Sequence, residues 1–305
     1  MSQKHECPGC GKRTFVKYVD EYDTPLHAAC GRCDSEDSCR YHLTPKMYFA
    51  DHPESRKEWK PQPRPAKKEL CKPVDYINMD KYILPAAGKG NGLTKCHFSD
   101  FLYRTFPDKD VNSALWKFFV GAARDGAVIF PYIDAGGNAR TAKIMKYDPD
   151  TGKRKKDVPN AINWVHSVLK KRGELPESFN MQLCLFGELQ LQLSKNTNKP
   201  VLIVEGEKTA VIASILMPQF IWMAAGALGW LNIEKLSPLK ERDIVLYPDT
   251  SEQSTAFEKW SKIAADAKVK GYRISVSGLL ETKCSTKQKE QGYDIADYLM
   301  SNMNK

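Results

Sequence analysis

The chain has 305 residues, of which 42% are hydrophobic and 27% charged, and its formal net charge is +9. That length suits two domains or three small ones, and the basic excess favours a polyanionic partner. No apolar run approaches a membrane span and the polar start Met1–Glu6 is unlike a secretory leader, so the expectation is a cytoplasmic protein without a membrane partner.

Five of the nine cysteines fall within the first forty positions. Cys7 and Cys10 form one CxxC pair and Cys30 and Cys33 a second, with nineteen residues between the pairs. Each pair makes a tight knuckle whose backbone N–H groups can face the sulfurs, and four thiolates complete a tetrahedral Zn²⁺ shell. Thr14–Val19 alternates as a strand and Glu21–Thr24 reads as a turn, so the expected module is a zinc ribbon. Cys39 and His42 follow in SCRYH. They either replace one ligand or are a packed thiol and a surface imidazole, and two complete knuckles favour the second. Four protein ligands leave no open position, so this zinc is expected to be structural. Arg13, Lys17, Arg32, Arg40 and Tyr41 offer basic and aromatic contacts for a single strand.

Asp51–Pro73 is rich in proline and charge and reads as an extended linker. The expected domains are 1–50 (ribbon), 51–75 (linker), 76–198 (a small α+β domain) and 199–305. In the middle segment, Phe98–Phe106 and Val111–Val120 carry apolar residues at helical spacing, with Trp116 expected in the core. Ala127–Asp134 reads as a strand, Ala135–Asn138 as a turn and Arg140–Tyr147 as the returning strand. Arg140, Lys143 and Lys146 make that arm basic, although a spacing of three cannot keep all of them on one face of a regular strand. Lys153–Lys156, including Arg154, and Lys170–Arg172 are basic runs that read either as solvated loops or as phosphate contacts. Ile162–Leu169 is expected as a helix carrying a structural His166. Cys96, Cys184 and Cys284 lack metal spacing and read as packing thiols.

From Pro200 onward strands alternate with helices. Val201–Val204, Phe220–Ala224, Ile244–Tyr247 and Arg273–Ser277 read as strands. Glu207–Leu216, Ile233–Leu239, Thr255–Val269 and Asp294–Met300 read as helical. This alternation implies a parallel α/β sheet with helices on both faces. Glu205 and Asp249 then follow strand ends, where open α/β sheets keep their chemistry. Taken singly, Glu205 is a strand-end acid, Asp249 a helix cap and Asp294 the N-cap of the last helix. Together with Asp297 they form an oxygen-rich set suited to Mg²⁺ or Mn²⁺.

VEGEKTA at Val204–Ala210, AAGALG at Ala224–Gly229, YPDTS at Tyr247–Ser251 and GYDIADYL at Gly292–Leu299 resemble the Toprim domain shared by bacterial primases, topoisomerases and some nucleases. With the ribbon and the GAVIFPYIDAGGNAR segment, Gly126–Arg140, the chain is similar to a short primase core of the kind found in plasmids and mobile elements. The resemblance implies Glu205, Asp249 and Asp294 as catalytic acids, with Asp297 as a further Mg²⁺ ligand. It implies Lys208 and Gly226 as nucleotide contacts, and the basic residues Arg140, Lys143, Lys153 and Arg154 add candidate nucleic-acid contacts from charge alone. Single-stranded DNA and nucleoside triphosphates are the implied substrates, and a helicase or relaxase an implied partner. The chain departs from the family's DxD element, because Thr250 and Ser251 follow Asp249. Two functions are therefore expected as alternatives: synthesis of short RNA primers, or DNA binding without catalysis in replication, mobilisation or recombination.

Overall fold

The computed structural model describes residues 4–20, 24–34, 39–53, 73–88, 95–193, 196 and 198–303. Most of the expected linker (54–72) and part of the expected turn (21–23) lie outside these residues. The chain divides into two compact units, Met1–Cys71 and Lys72–Lys305.

The first unit is a small antiparallel ribbon of β1 (Phe15–Lys17), β2 (Gly31–Cys33) and β3 (His42–Leu43), in the order β1-β2-β3. Phe15 is fully buried beside Cys7 and Cys33, with Tyr41 edge-on to its ring. Gly31 is required there, since a Cβ would lie 2.2 Å from the Val16 carbonyl oxygen. A short helix, Pro45–Asp51, follows; Thr44 accepts from the Met47 amide and proline occupies the first turn, where its missing N–H costs nothing.

The second unit contains two sheets. The antiparallel one runs β4 (Gly121–Ala122), β5 (Val128–Ile133), β6 (Ala139–Met145) and β7 (Ile162–Trp164) in that order. The helices His97–Thr105 and Asp108–Lys117 precede it. Cys96 caps the first of them, its sulfur accepting from the Ser99 amide, which gives this packed thiol a local role. Ile162–Trp164 departs from the helical expectation: it pairs with β6 from Lys143↔Trp164 to Met145↔Ile162, and the helix covers only Val165–Lys171. Without that strand β6 would present an unpaired edge. Trp116 is 45% exposed rather than in the core. Val111, Ala114, Leu115 and Phe118 already fill the inward stripe of its helix, and position 116 lies about 100° away from 115.

The second sheet is fully parallel, in the order β11 (Arg273–Val276), β10 (Asp243–Tyr247), β8 (Val201–Val204), β9 (Ile221–Ala224). Period-two alternation sends Leu202, Val204, Trp222 and Ala224 to one face, against the helices Glu207–Leu216 and Ile295–Met303. Val201, Ile203, Ile244 and Leu246 face the other way, against Trp260 and Ala264 of the helix Thr255–Val269. Both faces are covered, as parallel sheets require. Phe186 and Ala224 exchange backbone hydrogen bonds of 2.9 and 3.0 Å, so the Leu183–Leu193 segment meets the sheet along β9. Among the described residues no helix is long and apolar enough to cross a membrane.

Candidate functional site

In the ribbon, the sulfurs of Cys7, Cys10, Cys33 and Cys39 lie within 4.8 Å of one another. Cys7 and Cys39 are 3.6 Å apart, and Cys10 and Cys33 4.0 Å. A tetrahedral shell with Zn–S of about 2.3 Å separates its sulfurs by roughly 3.8 Å, so the set fits Zn²⁺ held for structure. The Gly9 amide donates to Cys7 Sγ at 3.4 Å, and the Thr14 hydroxyl lies 3.2 Å from Cys33 Sγ. Cys30 stands outside the group, which corrects its assignment as a ligand. Cys33 is three positions after Cys30 along extended backbone, an odd offset, so their side chains leave opposite faces. Cys30 is instead fully buried, and Cys39 arrives from the following turn as the fourth thiol. His42 is not a member of the set; its Nε2 lies 2.7 Å from the Tyr18 hydroxyl.

In the second unit, strand register brings the acids together. Tyr247 pairs with Val204, so Glu205 and Asp249 both emerge just beyond the strand ends, and the Asp249 amide donates to Glu205 Oε1 at 3.1 Å. The Thr250 amide and hydroxyl both donate to the Tyr293 carbonyl, at 2.9 and 3.0 Å, which draws the 292–294 turn alongside. Asp294 accepts from the Asp297 amide at 2.8 Å and from the Thr209 hydroxyl at 2.6 Å. It is thus both the cap of the last helix and a wall of the site. Glu205, Asp249, Asp294 and Asp297 all line one cleft of about 890 Å³.

Lys153, Arg154, Lys156 and Lys208 also line this cleft. The backbone bridge between Tyr147 and Arg154 fixes the first three beside β6. Lys208 reaches toward them, its ammonium 3.4 Å from the Gly152 carbonyl. Burial, then the Glu205, Asp294 and Asp297 charges, push the Asp249 carboxyl well above its ordinary range. Burial also raises Glu205 and Asp297, and the Asp294 charge adds to both shifts. Asp249 Oδ1 is the single buried side-chain polar atom among the described residues with no hydrogen-bond partner. A buried, unpaired carboxylate oxygen among other carboxylates fits a hard cation. The cysteine set is, among the described residues, the one group whose ligand atoms already lie within 4.8 Å. The acids therefore form an open wall and not a closed cage, as suits an ion sharing its shell with water and phosphate oxygens.

The hydroxyls that follow Asp249 are committed elsewhere. Ser251 accepts from the Thr255 amide at 3.0 Å at the start of its helix, and Thr250 is tied to Tyr293. Asp249 does not cap that helix; Ser254 occupies the cap position.

Of the three basic residues expected on the returning arm, Arg140, Lys143 and Lys146, the two that fall within β6 separate. Lys143 and Met145 line the cleft, whereas Ala142 and Ile144 pack into a different cluster on the opposite face. Arg140 is the extra residue of a bulge in β6, between Ala139, paired with Ile133, and Thr141, paired with Tyr132; it bonds to Asp134 at 2.7 Å and lies over the Tyr76 ring, which corrects its assignment to the site. Lys143 is buried, and its ammonium is held by Glu207 at 3.0 Å and by the Gly226 carbonyl at 3.0 Å. It is a structural cation. Glu207, only 2% exposed, also accepts from the Tyr132 hydroxyl. This Tyr132–Glu207–Lys143 group was not evident from spacing; a lysine within an otherwise buried strand was its one sequence signal. Gly226 adopts φ +93°, and its amide donates to the Glu205 carbonyl at 2.9 Å.

Residues 96–250 match a family model described as "Domain of unknown function (DUF6371)", and residues 1–54 match "Zinc beta-ribbon finger, putative". No curated relative matches the sequence. Among solved structures, the chain is similar to the primase fragment of the bacteriophage T7 primase-helicase, at 16% identity and TM-score 0.37, over 90% of this chain and 88% of that one. It is also similar to the zinc-binding and RNA polymerase domains of Aquifex aeolicus primase, at 12% identity and TM-score 0.47, over 98% and 75%. A third likeness is to the RNA polymerase domain of Mycobacterium tuberculosis primase, at 13% identity and TM-score 0.35, over 66% and 64%.

Proposed function

We propose that this chain, which belongs to the family described as "Domain of unknown function (DUF6371)", is a primase-like nucleotidyltransferase that builds short RNA on single-stranded DNA. The observation that carries the reading is the unpartnered Asp249 oxygen in an acidic wall that shares its cleft with Lys153, Arg154, Lys156 and Lys208. Acids alone would hold a cation, and bases alone would hold a strand. Both within one cleft suit a nucleoside triphosphate and its metal.

Asp249 and Asp297 would hold Mg²⁺ or Mn²⁺, which when bound offsets charge on the transferring phosphoryl group. Asp294 has both carboxylate oxygens engaged by protein donors, so its role here is to orient Asp297. Lys208, Lys153 and Arg154 draw in the phosphates and stabilise the charge that shifts to the departing pyrophosphate. A primer 3′-hydroxyl oxygen forms a bond to the α-phosphorus, the bond to pyrophosphate breaks, and the hydroxyl proton passes to Glu205. Burial raises the affinity of Glu205 for that proton. The ribbon's basic residues support template contact, in a replication or mobilisation setting with a helicase or relaxase as partner.

The test is synthesis of labelled RNA from nucleoside triphosphates on single-stranded DNA with Mg²⁺ or Mn²⁺. Product from wild type and at least hundredfold less from Glu205→Gln is the expected result; no product from either would overturn the reading. One observation favours a second reading, DNA binding without catalysis: Ser251 and Thr250 spend their hydroxyls on the fold. That reading expects salt-sensitive DNA binding that needs no divalent ion and survives Glu205→Gln with Asp249→Asn.

A further inference from the structure

We infer that Trp230 and Trp164 form a stacking track for the bases of single-stranded nucleic acid leaving the cleft. The inference rests on the nucleic-acid reading above and deepens it, because it places bases where the cleft itself addresses only phosphates.

Gly226, Ala227 and Leu228 line the cleft, and the next turn, Leu228–Trp230, carries Trp230 to its border. The Trp230 amide donates to the Ala227 carbonyl at 3.0 Å, which fixes the turn. Its indole lies so close to Gly226 that a Cβ there would come within 2.9 Å of Cε3. Even so, Trp230 remains 37% exposed. An indole left partly in water forfeits hydrophobic stabilisation that a stacked base would recover.

The row continues on β7. The Trp164 ring centroid is 5.7 Å from that of Trp230, with the planes inclined at 43°. The His166 ring centroid is 5.7 Å from that of Trp164, and its Nδ1 lies 2.7 Å from the Thr141 hydroxyl. Both are half-buried, so each presents only part of its ring. Lys143, already committed to Glu207, lies 5.4 Å from the Trp230 centroid and 5.9 Å from that of Trp164, and Lys235 lies 5.9 Å from Trp230. Lys170 and Lys171 close the helix that carries His166. A mononucleotide uses one ring. Adjacent rings, with Lys235 beside Trp230, match successive bases of a strand and its phosphates.

The experiment measures binding of a fluorescent oligothymidylate across a salt series, together with quenching of intrinsic tryptophan emission. Trp230→Ala is expected to weaken binding about tenfold or more with an unchanged salt slope, since it removes a stacking surface and no phosphate contact. Trp230→Phe should retain most of the affinity and lose much of the quenching. Lys153→Gln should instead reduce the salt slope by about 0.7. Wild-type and Lys153→Gln behaviour as expected, with Trp230→Ala binding like wild type, overturns the stacking track and leaves the function above standing. Failure of wild type to bind overturns both. Equal loss of ATP binding in Trp230→Ala assigns the ring to the mononucleotide and overturns the strand assignment.

Discussion

The Asp249 amide donates to Glu205 Oε1 at 3.1 Å, so one acid of the cleft orients another while its own Oδ1 stays unpaired. The arrangement has a pH signature. The folded Asp249 carboxyl holds its proton more tightly than the unfolded one, whose ordinary value is 3.8. Between that value and the raised folded one the native state carries more protons, so stability falls as pH rises through the window. Asp249→Asn should flatten this dependence and raise the thermal midpoint at pH 8 by a few degrees. Millimolar Mg²⁺ should raise the wild-type midpoint and leave the variant's unmoved. Thermal melts from pH 4 to 8, with and without Mg²⁺, check both; equal Mg²⁺ shifts in the two proteins would exclude Asp249 as a ligand.

The ribbon assignment separates two cysteines that spacing treats alike. Cys39→Ser should lower bound zinc well below one ion per chain and destabilise the first unit. Cys30→Ser should retain a full equivalent, at a packing cost of about 1 kcal/mol. Zinc release into a colorimetric chelator, calibrated against protein concentration, reads the stoichiometry. A zinc-free Cys30→Ser would restore the two-knuckle shell.

Lys143 and Glu207 are buried together. Lys143→Met leaves the Glu207 carboxylate without its counter-charge and should cost about 3–5 kcal/mol. Adding Glu207→Leu should recover much of that loss, because the penalty lies in the orphaned charge. Urea midpoints of the single and double variants provide the comparison; a single variant as stable as wild type would mean that the pair contributes little.

Gly226 sits at φ +93°, and an added Cβ would approach the Tyr132 hydroxyl to 2.5 Å and Trp230 Cε3 to 2.9 Å. Gly226→Ala should therefore cost at least about 1–3 kcal/mol and shift the cleft wall. Urea unfolding and oligothymidylate binding should both respond.

The α/β half of the fold was legible because its signals are local. Val201–Val204 is a short buried run, and Glu207–Leu216 and Thr255–Val269 appear as helices with the bounds that periodicity gives. Glu205 and Asp249 were legible as strand-end residues for the same reason. Pairings set by distant partners were hidden. Ile162–Trp164 reads as the start of a helix until β6 needs an outer neighbour. Cys39 outranks Cys30 only once strand parity turns Cys30 away. Arg140 and Lys143 look equivalent along β6, yet one meets Asp134 from a bulge and the other meets Glu207 beneath the cleft.

The two hydrogen bonds between Phe186 and Ala224 bear on how copies of this chain meet one another. β9 is the outermost strand on its side, and a bare border of that kind invites intermolecular ladder growth and aggregation. Capping it with a stretch of the chain's own backbone removes the docking rail before any neighbour can use it. Loosening that clasp, for instance with proline at Phe186, would convert a self-limited sheet into one that recruits strands from other molecules.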